Sequence, residues 1–465
     1  MNSNSSTTVI RSYRGDIIVF ALVFIGIFLV LSGGLLGLTR LNLKYIKKQE
    51  AKTYALQVAE AGVNYYRWHL AHDHEDYTDG TGLPGPYIHD YEDPITGTVG
   101  KFSLEITPPP TGSTIVTITS TGWLDEEPNA QRIISVLYGI PSLAHYSFLT
   151  NSDIWFGENE HVSGEMHSNG GIRQDGTNDS LLTSAKETYV CQPGHGCDPP
   201  TQKPGIWGTG PNNDLWSFPV TAIDFNSITV DLAQIKSDAQ SWGLYFDSAS
   251  NGYHVIFQAN GTIDIYLVTR LESKIWQLND NWNGWIRRAE EIKNETFLGN
   301  YAIPANGLIF MEDDVWVEGI VNGRVTLASA RFPDNPNTNT EILINGNINY
   351  LARDGTHALG LIAQKDVKVP RHAPTDLVID ATLLAQKGRC FRNYYSPPRV
   401  TNNIEVYGGI ITNKVWTWTW VTYGGNVVDG YQSTVGIYDN SLTFMPPPSF
   451  PTTGEYTFIS WEEVE

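Results

Sequence analysis

Positive charge is scarce in this sequence. Thirty Lys and Arg stand against 50 Asp and Glu, a formal net charge of −20. The shortage is uneven: residues 1–50 hold Arg11, Arg14, Arg40, Lys44, Lys47 and Lys48 against Asp16 and Glu50, a net +4, so the remainder carries −24. Phosphate binding needs clustered Lys and Arg, and nucleic acid is therefore excluded as a partner. Catalytic signatures are missing as well. There is no Gly-rich phosphate loop ending in Lys-Ser/Thr, no Gly-x-Ser-x-Gly elbow and no His-Glu-x-x-His zinc helix. No cofactor and no enzymatic activity are expected.

Cysteine is nearly absent: Cys191, Cys197 and Cys390 are the three. The first two bracket a five-residue Gln-Pro-Gly-His-Gly loop. Outside the cytoplasm that pair is expected to form a disulfide and leave Cys390 as a thiol. The rival is a reduced, metal-bound pair with His195, which offers three ligands where a structural zinc wants four. Charged residues are sparse at 17%, whereas Gly 43, Pro 25, Tyr 23 and Trp 14 point to many turns and aromatic-rich strands. The expected fold is mainly β with one long N-terminal α-helix.

That helix starts as an apolar run of 22 residues, Ile17 to Leu38, broken only by Ser32 and four glycines. At about 1.5 Å per residue it spans a hydrocarbon core of about 30 Å, so a single membrane crossing is expected. A buried core helix and a cleaved secretory signal are the alternatives; the run is long for a signal and lacks an Ala-x-Ala exit. The helical pattern continues past the lipid. Ala55, Val58, Ala59, Gly62, Val63, Tyr66 and Leu70 keep i, i+3, i+4 spacing, and no proline occurs before Pro84.

The stretch from Arg14-Gly15-Asp16 through the apolar run to Ala59-Glu60-Ala61-Gly62 resembles the N-terminal segment of type IV pilus minor pilins. The resemblance implies a basic leader cut after Gly15, a mature chain starting at Asp16, and a helix that packs into a filament or assembly complex. It also implies other pilin-like subunits or assembly proteins as partners. Two positions depart from the family: Phe20 stands where a Glu is usual, and Asp16 where an apolar residue is usual. Arg40, Lys44, Lys47 and Lys48 after the span favour the opposite orientation to Arg11 and Arg14 before it, but long domains translocate largely regardless of flanking charge. The resemblance and the acidic, β-rich remainder put the N-terminus inside and the head outside.

Residues 72–100 read as a polar loop. Alternating strands follow at Gly100–Ile106, Thr114–Ser120 and Arg132–Tyr138, a small antiparallel sheet as in a pilin head. A short helix is expected within 223–245, with Leu232, Ile235 and Trp242 on one side. In 301–412, runs recur roughly every 19–27 residues at Val315–Val321, Ile342–Ile348, Leu359–Val369, Leu377–Leu383 and Ile404–Ile411. Stacked strands at that spacing predict a parallel β-helix. The expected organisation is a leader at 1–15, a membrane and amphipathic helix at 16–71 and a pilin-like sheet at 72–140. An irregular β region follows at 141–300, then β-helix-like repeats at 301–412 and C-terminal strands with a Pro-rich tail at 413–465.

Several clusters are candidates for binding. His161, Glu165 and His167 would share one strand face and could hold a metal; local hydrogen bonding is the simpler account. The same holds for the acidic loop His72-Asp73-His74-Glu75-Asp76, which reads as solvated, and no metal is expected. Asp313 and Asp314 would be the carboxylates of a membrane-tethered, glycan-active enzyme, the alternative function. Trp416, Trp418 and Trp420 alternate with threonines and would form an aromatic strand face, either stacking on a surface glycan or packing against the solenoid.

Overall fold

The computed structural model describes residues 14–464 apart from 94, 96, 111, 226–227 and 423–424, with the side chains of 14–16 and 228–231 also left aside. The chain forms two compact units: Met1–Pro108 with Val116–Tyr138 and Phe458–Glu465, and Pro109–Ile115 with Gly139–Thr457.

In the first unit, one unbroken helix, α1, runs Arg14–His72. Its last third buries Ala55, Val58, Ala59, Gly62, Val63, Tyr66 and Leu70, the stripe that the i, i+3, i+4 spacing predicts, and Ala51 one turn earlier is buried as well. Facing it is a five-stranded sheet in the order Tyr87–Asp93, Gly97–Thr107, Ile115–Leu124, Glu127–Gly139, Thr457–Val464. Alternate residues of the central strands (Phe102 and Leu104, Val116 and Ile118, Ile134 and Val136) are buried, so each strand turns one face inward. Two sheet strands differ from expectation. Tyr87–Asp93, read as loop, pairs antiparallel with Gly97–Leu104. Its half-buried face carries Tyr87, His89, Tyr91 and Asp93 and its exposed face includes Ile88, so apolar and polar residues do not alternate along it. The other is Thr457–Val464, by which the chain returns to the first unit after more than 300 residues.

The second unit is a solenoid of parallel strands. The five repeat runs seen in the sequence all pair in parallel, but their stack extends further in both directions. One ladder places Leu244, Ile309, Leu327, Leu361, Leu383 and Ile410 in register. It then continues through Phe148, Met166, Leu182 and Trp216. The chain thus enters the stack in its middle at Phe148, winds out to Trp216, crosses to the far end at Leu244 and winds back to Ile410. A second wall carries Tyr253, Val315, Ile342, Val367 and Cys390 in register. A third aligns Leu377, Ile404, Thr434 and Glu160.

The inward residues form one continuous apolar core. A Leu-to-Ala change at such a position costs about 2–5 kcal/mol. Cys390 is buried within it, and burial raises its thiol pKa well above the ordinary value, so it behaves as a small apolar residue. The adjacent residues of the first wall, Phe310, Ala328, Ile362, Leu384, Ile411 and Leu149, point the other way. They pack with Leu232, Ile235 and Ala239 of helix α2, Ile228–Trp242. Trp242 does not share that face: it is 80% exposed, at the last residue of the helix, and Ala239 takes the buried place.

Candidate functional site

The first half of α1 is apolar and uncovered. Every described side chain from Ile17 to Leu31 is exposed, Phe20 at 66% and Phe28 at 69% among them. This is the one helix, among the described residues, long and apolar enough to cross a membrane. Gly15 and Asp16 fall in its first turn, where their side chains lie outside the described residues.

Small residues bring the second half into direct contact with the sheet. A Cβ added at Gly62 would lie 2.4 Å from Ser120 Oγ and 2.8 Å from Phe102 Cδ2. From the sheet side, a Cβ at Gly122 would lie 2.3 Å from Ala55 O and 2.4 Å from Ala59 N. At Gly122 backbone lies on backbone, and at Gly62 the helix backbone lies on the Ser120 and Phe102 side chains, so neither position leaves room for a Cβ.

The end of α1 is tied by the acidic loop. Asp76 accepts from the Thr78 amide (2.8 Å) and hydroxyl (2.7 Å), the Gly80 amide (2.6 Å) and His69 (2.8 Å). The Thr78 hydroxyl, against burial and with the two amides and His69, holds its carboxyl well below the usual range. Tyr66 donates to Asp76 O at 2.9 Å. Asp76 is thus a local loop cap.

On the solenoid, His161, Glu165 and His167 have separate partners. His161 Nδ1 meets Thr177 Oγ1 at 2.5 Å, His167 meets Thr183 at 2.8 Å and Asn169 at 2.9 Å, and Glu165 lies 4.0 Å from His145. No group of three metal-ligating side chains forms among the described residues. Cys191 and Cys197 are joined, with Sγ atoms 2.16 Å apart and both residues buried against Tyr189. His195 stands beside them, its pKa lowered first by burial.

Asp313 accepts from Ser248 (3.1 Å), the Ala249 amide (2.9 Å) and Arg331 (3.0 Å), and Asp314 accepts from the Glu341 amide (2.8 Å). Glu341 is the hub of a buried ionic cluster. It receives Lys368 at 2.7 Å, Lys365 at 2.9 Å and Arg288 at 3.2 Å. Burial alone would raise its pKa; the charges of Lys368, Arg288 and Lys365 outweigh that and hold it low. Asp314, buried and facing Glu341, is pushed up instead.

Of the tryptophan row, Trp416 and Trp418 are buried and cross edge-on at 6.1 Å, with Trp416 also 5.4 Å from Phe148. Regular strand covers only Thr419–Val421, because the Thr417 hydroxyl donates to Thr419 O at 2.6 Å and bends the chain. Trp420 is half-buried, its Nε1 donating to Arg392 O at 3.0 Å. Its neighbours come from remote segments: Trp282 at 4.9 Å and Tyr394 at 5.6 Å. The cluster of Trp276, Trp282 and Trp285 around Asn279–Asn281 is visible in the sequence; its meeting with Tyr394 and Trp420 is not.

No family model matches the chain. Nor does any curated protein. Among solved structures, the competence-associated pilin ComZ from Thermus thermophilus overlays 89% of this chain and 97% of its own, at 12% identity and a TM-score of 0.30.

Proposed function

We propose that the protein is a pilin-like minor subunit or tip component of a type IV pilus or related filament, held in the membrane by α1, with its β-rich remainder outside the cytoplasm. One observation carries this reading. A single helix is apolar and bare over its first half, yet seated on a sheet through glycine and alanine over its second. A water-exposed helix of that composition would aggregate, whereas lipid or neighbouring helices would cover it. The head then serves as a surface for adhesion or assembly. In this reading the protein is not an enzyme, and Asp313 and Asp314 serve structure, each occupied by neighbouring donors.

Fractionation tests the proposal. The full chain is expected in the membrane pellet, released by detergent and not by high salt, and a chain starting at Thr39 is expected in the supernatant. A full chain that stays soluble overturns the reading. The mature N-terminus, read by mass spectrometry, separates leader processing (Asp16) from simple anchoring (Met1).

A further inference from the structure

On the solenoid flank, Ile275–Leu278 and Trp285–Arg288 form a hairpin, with Trp276 opposite Arg287 and Leu278 opposite Trp285. Residues opposite each other, and those two apart, share a face. Trp276 and Trp285 therefore lie diagonally on one face of the hairpin, 48% and 46% exposed. The aromatic surface runs on from there. Trp285 is 5.6 Å from Tyr394, Tyr394 is 5.6 Å from Trp420, and Trp420 is 4.9 Å from Trp282. None of these five rings is fully buried.

The turn that holds Trp282 is built for that ring. Trp282 has φ 58°, a left-handed conformation that costs a bulky side chain energy. Asn279 fixes it, its carbonyl accepting the Trp282 amide at 2.9 Å and its side chain bonding the Asn281 amide (3.2 Å) and Asn283 (2.8 Å). Two guanidiniums edge the rings: Arg389 lies 4.4 Å from the Trp282 ring and Arg287 5.9 Å from Trp276. Neither forms an ion pair among the described residues; they donate to the backbone oxygens of Asp280 and Lys274. Unpaired arginines are unexpected where the chain outside its first 50 residues carries −24. Beside the same turn lies a cleft of about 410 Å³, bordered by Asn279, Asp280, Asn281, Arg288 and Lys365.

We propose that this aromatic face binds a polysaccharide bearing carboxylate sugars. Pyranose C–H faces pack on the exposed rings of Trp276 and Trp285, hydroxyls reach the asparagine amides, and a uronate carboxylate meets the exposed Arg287. An apolar protein surface fits less well, because amides and guanidiniums interrupt the rings and would be stranded beneath it. Planar guanidinium recognises carboxylate in a bidentate geometry, which gives the charge selectivity. The site deepens the reading of the head as an outward-facing adhesive surface, but its chemistry does not depend on the anchor.

The test uses the full chain in detergent, with alginate as the uronate polymer and dextran as a neutral one. Binding to alginate and not to dextran is expected, weakened about tenfold or more by Trp285→Ala and by Arg287→Gln. Both side chains are exposed, so the melting temperature is expected to hold; should Trp285→Ala melt lower, Arg287→Gln decides. Absence of alginate binding, equal binding of dextran, or a loss of less than about twofold in Arg287→Gln overturns the proposal. Membrane fractionation is independent of every one of these outcomes, so failure here leaves the anchor reading standing.

Discussion

The two halves of α1 share one backbone and little else. From Ile17 to Leu38 the helix is apolar on all sides and touches nothing; from Ala51 to Leu70 it is apolar on one stripe and buries that stripe. Glycine marks the contrast. Gly26, Gly33, Gly34 and Gly37 have no atom within 4 Å of where a Cβ would sit, whereas at Gly62 and Gly122 a Cβ collides. The same residue type is thus an open position in one half and a steric requirement in the other. What a helix does here follows from which sides are apolar, not from helix propensity.

The largest effect is expected at the seat. Gly122→Leu would drive its Cβ into Ala55 O and Ala59 N, backbone atoms that cannot turn aside. The second half of α1 must then lift from the sheet, at a cost of about 3 kcal/mol or more. Gly26→Leu, in open space, is the matched control. Denaturant unfolding of the two variants measures the difference. Equal midpoints would abolish the distinction between the halves.

How much of this could be read beforehand depends on the range of the interactions involved. The apolar run, the buried stripe and the alternating strands are local patterns, and each stands in the structure near its expected place. The strand Tyr87–Asp93 is hidden because its half-buried face holds His89 and Asp93 while Ile88 faces out, and Trp242, the last residue of its helix, is exposed where the spacing predicts burial. The stacking order was out of reach: nothing in the local periodicity places Phe148 in register with Ile410. The aromatic flank is hidden for the same reason, since Trp282, Tyr394 and Trp420 meet only through the solenoid's winding. Pairings between distant segments are set by the whole core, not by any window of sequence.

A smaller effect, with a sign fixed by titration, belongs to the loop closing the seated half. Asp76 has a depressed carboxyl pKa. The stability it adds is therefore full above the unfolded value of about 3.9 and is lost as the pH falls through the lower folded value. Asp76→Asn is expected to unfold more easily than the parent at pH 7, with the gap closing toward about pH 2 as the parent's carboxyl protonates. Tyr66→Phe, which loses one hydrogen bond to Asp76 O, is expected to cost about 1 kcal/mol at either pH. Chemical unfolding at the two pH values distinguishes them. A gap for Asp76→Asn that does not change with pH would assign its effect to packing instead of charge.

The smallest effect is expected where the helix is bare. Replacing Gly33 and Gly34 with Ala puts methyl groups into space with no neighbour within 4 Å. Alanine is favoured over glycine in a helix interior by about 0.5–1 kcal/mol. An isolated peptide of this segment should therefore gain helicity, while unfolding of the seated half stays unchanged, since neither residue touches the sheet. Retention in the membrane pellet should also hold, because the apolar length is the same. A neighbouring helix would change this result. Close helix–helix contact in lipid uses small residues, and an added methyl separates the backbones. Crosslinking of the parent and the Gly33→Ala, Gly34→Ala variant in membranes reads that directly. Identical crosslinking patterns mean that this face meets only lipid. Loss of a crosslinked species would show that the first half, like the second, is seated through glycine, and the contrast between the halves would then be one of partner alone.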